Sequence, residues 1–434
     1  MKAPATNRIL MLLENQTYPR DFRVRQEATA LTAAGYRVSV ICPAGPGQPF
    51  RETLDGVHVY RYPQPPEAHG FLGYLWEYGF GMAAAFLLSL LVFFGEGFDV
   101  VHAHNPPDTF VFIAAFYKLF GKCFVFDHHD LSPEMYQARF PGGGNRLVLG
   151  ALIFLERLTC RLADRVIATN ESYKKIEMER DQVPESHITV VRNGIELHEL
   201  PAVEPDCTLR PAGKTIIGYV GVMGFQDGVD YLLRALGHLV RDLKRTDFLC
   251  VLVGDGDAFP YLKSLAEQLH ISEQILFTGM VHRSEVPRYL GIADICVAPE
   301  PAAPYNDRST AVKLMEYMSL AKPIVAFDLT EHRFTAKGAA AYVKPNDELE
   351  FARTIAELMD DPARRKKLGL LGRQRMEKEL AWQYSIPKLL HVYQAVLPAT
   401  AASPQAPRFE GGIEIQSRRA PRPRTAGCEA GDPR

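Results

Sequence analysis

Between Tyr305 and Glu331 the chain gathers residue types that suit phosphate and ribose. A strand-like run, Ile295-Cys-Val-Ala298, and a Pro-rich loop lead into the polar turn Asn306-Asp-Arg-Ser-Thr310, which is expected to open a helix. Ser309 or Thr310 would cap that helix and leave its first-turn amides open to an anion. Ser309, Lys313 and Glu316 are spaced i, i+4, i+7 and so share one helical stripe. Hydroxyl and amides suit phosphate, the ammonium suits its charge, and a carboxylate one turn further on suits paired ribose hydroxyls. A nucleotide diphosphate needs those groups in that order. The plainer reading of the same residues is an amphipathic helix whose Glu and Lys form a surface pair.

Other polar clusters follow strand-like runs. The first strand runs into Glu14-Asn-Gln-Thr-Tyr-Pro-Arg-Asp21 and then Arg23; the fourth leads to His102-Ala-His104-Asn105-Pro-Pro-Asp108; the fifth leads to Asp127-His-His-Asp130. In a parallel sheet these loops converge on one edge. From them come the candidate acceptor-binding residues Tyr18, Arg20, Asp21, Arg23, His104, Asn105, Asp108, His128 and Asp130. A metal site is the competing reading, since His and Asp are ligand types and His102 and His104 share a strand face. The spacing lacks a helical HExxH pattern, and no metal is expected. Capping and turn formation by Asp and Asn are the dull alternative. In the second half, Gly218-Tyr-Val-Gly-Val-Met-Gly-Phe-Gln-Asp-Gly228 reads as a strand end and a Gly-rich loop. There Gly221 and Gly224 would let the backbone approach a phosphate. Val251-Leu-Val-Gly-Asp-Gly-Asp257 contains an Asp-x-Asp, which its position at a strand end makes a tight turn.

The elements that position these residues are repeated βα units, which imply parallel sheets. Strands are expected at Arg8–Leu13, Arg37–Cys42, Val57–Tyr60, Asp99–Ala103, Cys123–Asp127, Arg165–Thr169 and Ile188–Arg192. A second set is expected at Thr215–Val220, Phe248–Val253, Ile275–Thr278, Ile295–Ala298, Pro323–Ala326 and Ala341–Val343. Between the sets, residues 201–211 carry three prolines in a polar stretch and read as a linker. The fold class is therefore α/β, with doubly wound, Rossmann-like domains at 1–200 and 212–375 and a ligand cleft between them. Residues 376–397 are expected to form a C-terminal helix packing back toward the first domain, and 398–434 a disordered tail.

The 434 residues suffice for two domains with ample cores. With 49 basic and 51 acidic residues there is no global basic field, so nucleic acid is not an expected partner. Seven cysteines without a CxxC pair, mostly inside apolar runs, suit a reducing cytoplasm. No signal peptide is recognised at the start. Tyr78 to Gly95 is free of formal charge and reaches the lower limit of about 18 residues for a membrane-spanning helix. Three glycines, Glu77 and the lack of basic flanks favour a buried or interface-lying helix instead. Peripheral contact with the cytoplasmic face of a membrane fits either way.

With these pieces placed, the sequence resembles the family 4, retaining glycosyltransferases of GT-B architecture, from about residue 8 to 397. The carrying blocks are Gly218-Tyr-Val-Gly221, Leu252-Val-Gly-Asp-Gly256, Phe277-Thr-Gly279, Tyr289-Leu-Gly-Ile-Ala-Asp294, Lys313-Leu-Met-Glu-Tyr-Met318 and Lys322-Pro-Ile-Val325. Ala33-Ala-Gly-Tyr-Arg-Val38 and Val191-Arg-Asn-Gly194 carry it in the first half. Versions with His-Asn-Pro-Pro-Asp and Asp-His-His-Asp-Leu resemble bacterial enzymes building cell-envelope or exported polysaccharides.

The resemblance implies a nucleotide diphosphate sugar as donor substrate and no obligatory cofactor. Glu316 would meet the donor ribose, and Lys313 with the Ser309–Ala311 amides would face the diphosphate. Gly221, Gly224 and Gly254 would line the donor, and His129 would lie beside the transferring sugar. The family's first signature glutamate falls at Arg308, and Gln226-Asp227 replaces its basic pair. Arg308 or Lys313 would then supply positive charge. A glycan or lipid-linked glycan is the implied acceptor. The same architecture serves nucleotide-sugar epimerases, phosphorylases and inactive assembly partners, and a metallohydrolase on His102, His104, His129 and Asp130 is a further alternative.

Overall fold

The computed structural model describes residues 7–64, 70–140, 142, 144–197 and 209–397. Most of the expected linker and the whole expected tail lie outside these residues. The chain forms two compact units. One contains the described residues up to Gly194 together with Ala303–Thr310 and those from Leu380 onward; the other contains Ile195–Ala302 and Ala311–Glu379.

The first unit holds β1 (Arg8–Leu12), β2 (Arg37–Pro43), β3 (Arg51–Leu54), β4 (Val57–Tyr62), β5 (Val100–His104), β6 (Cys123–His128), β7 (Arg165–Ala168) and β8 (Ile188–Val190). They form one sheet in the order β3-β4-β2-β1-β5-β6-β7-β8. The near-continuous apolar runs of β1 and β5 are buried throughout their length, as a sheet covered on both faces requires. One strand departs from expectation. β3 is an antiparallel edge paired with β4. The connecting Asp55 and Gly56 have φ of 50° and 81°, the left-handed pair that a two-residue hairpin needs.

The second unit holds β9 (Thr215–Val220), β10 (Phe248–Val253), β11 (Ile275–Gly279), β12 (Ile295–Ala298), β13 (Ile324–Phe327) and β14 (Ala340–Val343). Their order is β11-β10-β9-β12-β13-β14, and every pair is parallel. In each sheet the strand order reverses once, at β1/β5 and at β9/β12. Ligands of open parallel sheets bind beyond the strand ends at such reversals.

The C-terminal region is less regular than one helix over 376–397. Helix Pro362–Arg375 passes into a π-helical turn at Met376–Leu380 and a 3₁₀ turn at Trp382–Tyr384, before helix Ile386–Val396 begins. Pro387 sits in the first turn of the last helix, where a missing N–H is harmless, and it marks a restart. That last helix belongs to the first unit, where Leu389, Val392 and Tyr393 enter the core formed by Ile9, Met11 and Val38.

Candidate functional site

In the second unit the glycine loop after β9 and the helix Val312–Ser319 meet. A methyl carbon added to Gly221 would lie 3.2 Å from Lys313 Nζ, so the ammonium sits against the loop backbone. A methyl carbon on Gly254, the residue after β10, would lie 1.9 Å from the Gly221 carbonyl oxygen. Only glycine fits there, because two backbones approach that closely. Asp227 accepts a hydrogen bond of 3.0 Å from the Gly224 amide and so closes the loop, in the place where the family pattern has basic residues. Glu316 follows Lys313 by one turn on the same helix, and its carboxylate lies 3.5 Å from Arg283. Burial pushes the Glu316 carboxyl up, only partly countered by Arg283 and Lys313.

Lys313 already has a partner that the sequence did not reveal. Its Nζ lies 2.5 Å from Glu300 Oε1, donates to the Tyr219 hydroxyl at 3.1 Å and stands 4.4 Å from the centre of that ring. Burial alone would depress the ammonium, but Glu300, Tyr219 and Asp227 more than offset it and hold it firmly charged. Glu300 is buried after β12, with His332 Nε2 3.6 Å from its other oxygen. A carboxylate two residues past a strand at the sheet's reversal is the signal that could have identified it.

The polar turn folds differently from expectation. Pro304–Arg308 is a short helix of its own, and the second helix starts only at Val312. Ser309 and Thr310 therefore do not cap it; the capping position is Ala311, which has no side-chain hydrogen bond to offer. Ser309 is not on the stripe with Lys313 and Glu316. Its hydroxyl pairs with Tyr173 at 3.0 Å, and Thr310 Oγ1 accepts from Asn170 at 3.0 Å and Arg192 at 3.3 Å. Arg308 lies 2.8 Å from Glu134, a carboxylate that also binds Arg180 at 2.7 Å. These contacts place 303–310 in the first unit. Partners from distant parts of the chain, Glu134, Asn170 and Tyr173, hold residues 308–310 in place of a continued helix.

The strand-end residues of the first unit mostly hold one another. Arg23 is buried and grips Asp127 through two bonds of 2.6 and 2.7 Å, and it donates to Asn193 at 2.7 Å. Asp21 caps helix Phe22–Ala33 by accepting from the Val24 amide. Tyr18 is buried, its carbonyl taking a bond of 2.8 Å from Arg61. His104 is buried against Asp127 at 2.9 Å. Asn105 Oδ1 accepts from the His129 and Asp130 amides while its Nδ2 donates to Asp108 and to the Asp130 carbonyl, so it pins the loop after β6. Burial raises Asp108 to about 6. His128 points inward to Glu177 at 3.1 Å and Glu156 at 3.5 Å.

Of the candidates in these loops, Arg20 is exposed, and His129 and Asp130 are half-buried. Asp130 Oδ1 accepts a long bond of 3.4 Å from Tyr305. His129 Nδ1 lies 3.4 Å from Asp127. Burial would lower that imidazole, but Asp127 more than compensates and the net shift is upward.

The profile described as Glycosyltransferase Family 4 matches residues 23–199, and the one described as Glycosyl transferases group 1 matches residues 214–361. An uncharacterised glycosyltransferase of Methanocaldococcus jannaschii is 24% identical over 384 residues, covering 85% of this chain and 92% of that protein. The fold is similar to that of a sucrose-phosphate synthase from Thermosynechococcus elongatus, with a TM-score of 0.74, 18% identity and coverage of 89% of this chain and 98% of that one. It is also similar to Anabaena HepE solved with UDP-glucose, at a TM-score of 0.67, 15% identity and coverage of 89% and 99%.

Proposed function

Since this chain belongs to the family 4 glycosyltransferases of GT-B architecture, we propose that it is a retaining enzyme moving a sugar from a nucleotide diphosphate sugar to an acceptor hydroxyl. The observation that carries this reading is the convergence of Lys313, the Gly221 backbone and the uncapped start of helix Val312–Ser319. Open amides and an ammonium make a diphosphate site without a metal. Glu316, one turn on, would take the ribose hydroxyls. The UDP-glucose of HepE supports a donor of this class.

In the proposed reaction the leaving diphosphate takes the acceptor proton on the face from which it departs. The protein then contributes position and charge stabilisation, the task of Lys313 and the helix amides. His129, its imidazole shifted upward by Asp127 and its backbone fixed by Asn105 through its own amide, would stand beside the transferring sugar, with Arg20 and Asp130 toward the acceptor. A panel of UDP, GDP and dTDP sugars screened by thermal shift tests the donor site. A bound donor at 100 times its dissociation constant should add about 2.7 kcal/mol of stability. Glu316→Gln should weaken that donor roughly tenfold while leaving the fold intact. No shift with any of these sugars would overturn the reading.

A cytoplasmic enzyme working on a lipid-linked or growing envelope glycan is the acceptor reading we favour. It is supported by helix Gly70–Gly95, whose Trp76–Gly95 stretch has mean hydropathy 1.9 yet is only 22% buried. Leu87, Leu91 and Phe94 stand exposed at i, i+4, i+7, a stripe suited to lying in a lipid interface. Co-sedimentation with anionic vesicles should occur and should fall when the three are changed to Ser. Equal sedimentation of both proteins would remove the membrane from the proposal.

A further inference from the structure

Beneath the loops of the first unit lies a group of side chains that the transfer reaction does not use. Glu27 comes from helix Phe22–Ala33, His102 and His104 from β5, and Asp127 from β6. All four are fully buried. One ligand-type atom from each lies within 4.8 Å of the others.

The charges there do not balance. Two carboxylates share one guanidinium, since Arg23 binds Asp127 through two bonds and lies 3.2 Å from Glu27. A buried carboxylate without full compensation is strongly disfavoured. The hydrogen bonds are also incomplete. Among the described residues, both oxygens of Glu27 and the Nε2 atoms of His102 and His104 have no hydrogen-bond partner.

The rest of each ring is held. His104 Nδ1 lies 2.9 Å from Asp127 and His102 Nδ1 lies 2.6 Å from the Tyr393 hydroxyl. Anchoring Nδ1 in this way fixes the ring and frees Nε2 with its lone pair, the arrangement found where imidazole binds a metal. His102 Nε2 and Glu27 Oε2 are 3.8 Å apart. That is too long for a hydrogen bond. It is close to the roughly 3.4 Å that separates two ligands on a tetrahedral ion with bonds near 2.1 Å.

A proton on Glu27 would relieve the charge but would leave both imidazole nitrogens unsatisfied. A divalent cation satisfies charge, oxygens and nitrogens together. We propose that Glu27, His102 and His104 form a buried site for a divalent cation of the zinc type, with Asp127 and Tyr393 orienting the two rings. The ion ties helix Phe22–Ala33 to β5 and takes no part in sugar transfer. Being closed from solvent, the site fills as the chain folds.

The test is metal content of the full chain purified from cells grown with zinc or with cobalt. One equivalent per chain is expected, with the visible absorption of protein-bound cobalt and, at the zinc edge, nitrogen ligands near 2.0 Å. His102→Gln and Glu27→Gln should lose the metal, while His282→Ala, an exposed histidine of the second unit, should keep it. Tyr393→Phe should weaken binding tenfold to a hundredfold, as for other groups that orient a ligand ring. Wild-type protein with no bound zinc or cobalt overturns the site, as does a spectrum without imidazole ligands. Equal metal in His102→Gln and wild type overturns it too. If His102→Gln does not fold, the wild-type content and spectrum decide alone.

Discussion

The two units handle charge in opposite ways. In the second, Lys313 leans on Glu300 and on the Tyr219 ring beside the Gly221 and Gly254 backbone, with Glu316 half-paired to Arg283 one turn on. In the first, the strand ends carry a crowd of ionisable groups, most of them buried and bonded to each other. Arg23 with Asp127 and Glu27 makes one centre. His128 and Arg180 with Glu134, Glu156 and Glu177 make another. The contrast suggests a division of labour. A sparse site can give up its internal pairing to a ligand, whereas a dense one is committed to holding loops in place.

Removing Arg23 should break this comparison most visibly if it is mistaken. Arg23→Met leaves Asp127 and Glu27 buried together without their shared cation. A loss of about 3–5 kcal/mol in stability is expected from urea unfolding, the usual result of stripping one partner from a buried pair. A loss under about 1 kcal/mol would put the pair in the class of surface bridges and end the claim that the first unit's charges are structural.

Lys313 sharpens the comparison from the other side. Lys313→Met should lower turnover roughly a hundredfold, as for other losses of a charge stabiliser. It should also lower stability, because Glu300 is left beside His332 without its ammonium. Adding Glu300→Gln should restore the melting temperature and leave turnover low. Binding and folding roles of the lysine are thereby separated. Full turnover in either variant would remove Lys313 from the chemistry.

Most of the fold was legible in the sequence because parallel strands buried on both faces are written as unbroken apolar runs. Thr215–Val220, Phe248–Val253 and Ile295–Ala298 begin and end where the runs do. The edge strand Arg51–Leu54 was missed: Arg-Glu-Thr-Leu is polar, as a protected edge should be, and only the Asp55-Gly56 turn announces it. The site was legible as a set of strand ends rather than as contacts. Ser309 satisfied the helical spacing and still left the helix, since Tyr173 and Asn170 come from a distant stretch of chain. Arg23 and His128 had the right chemistry for an acceptor pocket. Nothing local showed that Asp127, Glu156 and Glu177 would claim them.

The smallest expected effect is a pH dependence that belongs to the first unit. Burial, reinforced by Glu156, raises Asp181 to about 7; burial, reinforced by Glu77, raises Glu14 to about 7. Burial raises Asp108 to about 6. In each case the folded protein holds its proton more tightly than the unfolded chain, whose carboxyls titrate near 4. The stabilisation is therefore complete below about pH 4 for these groups and is lost as pH rises through 6 and 7. The melting temperature should fall from pH 5.5 to pH 8. Asp181→Asn, which keeps the shape and removes the charge, should flatten part of that slope, and Glu300→Gln in the second unit should not. Because Asp181 sits beside Glu156, His128 and Arg180, a flattened slope would mean that this network is held together by a retained proton as well as by its ion pairs. An unchanged slope in Asp181→Asn would leave the crowd of charges in the first unit fully ionised and balanced, and the contrast with the second unit would then be one of number alone.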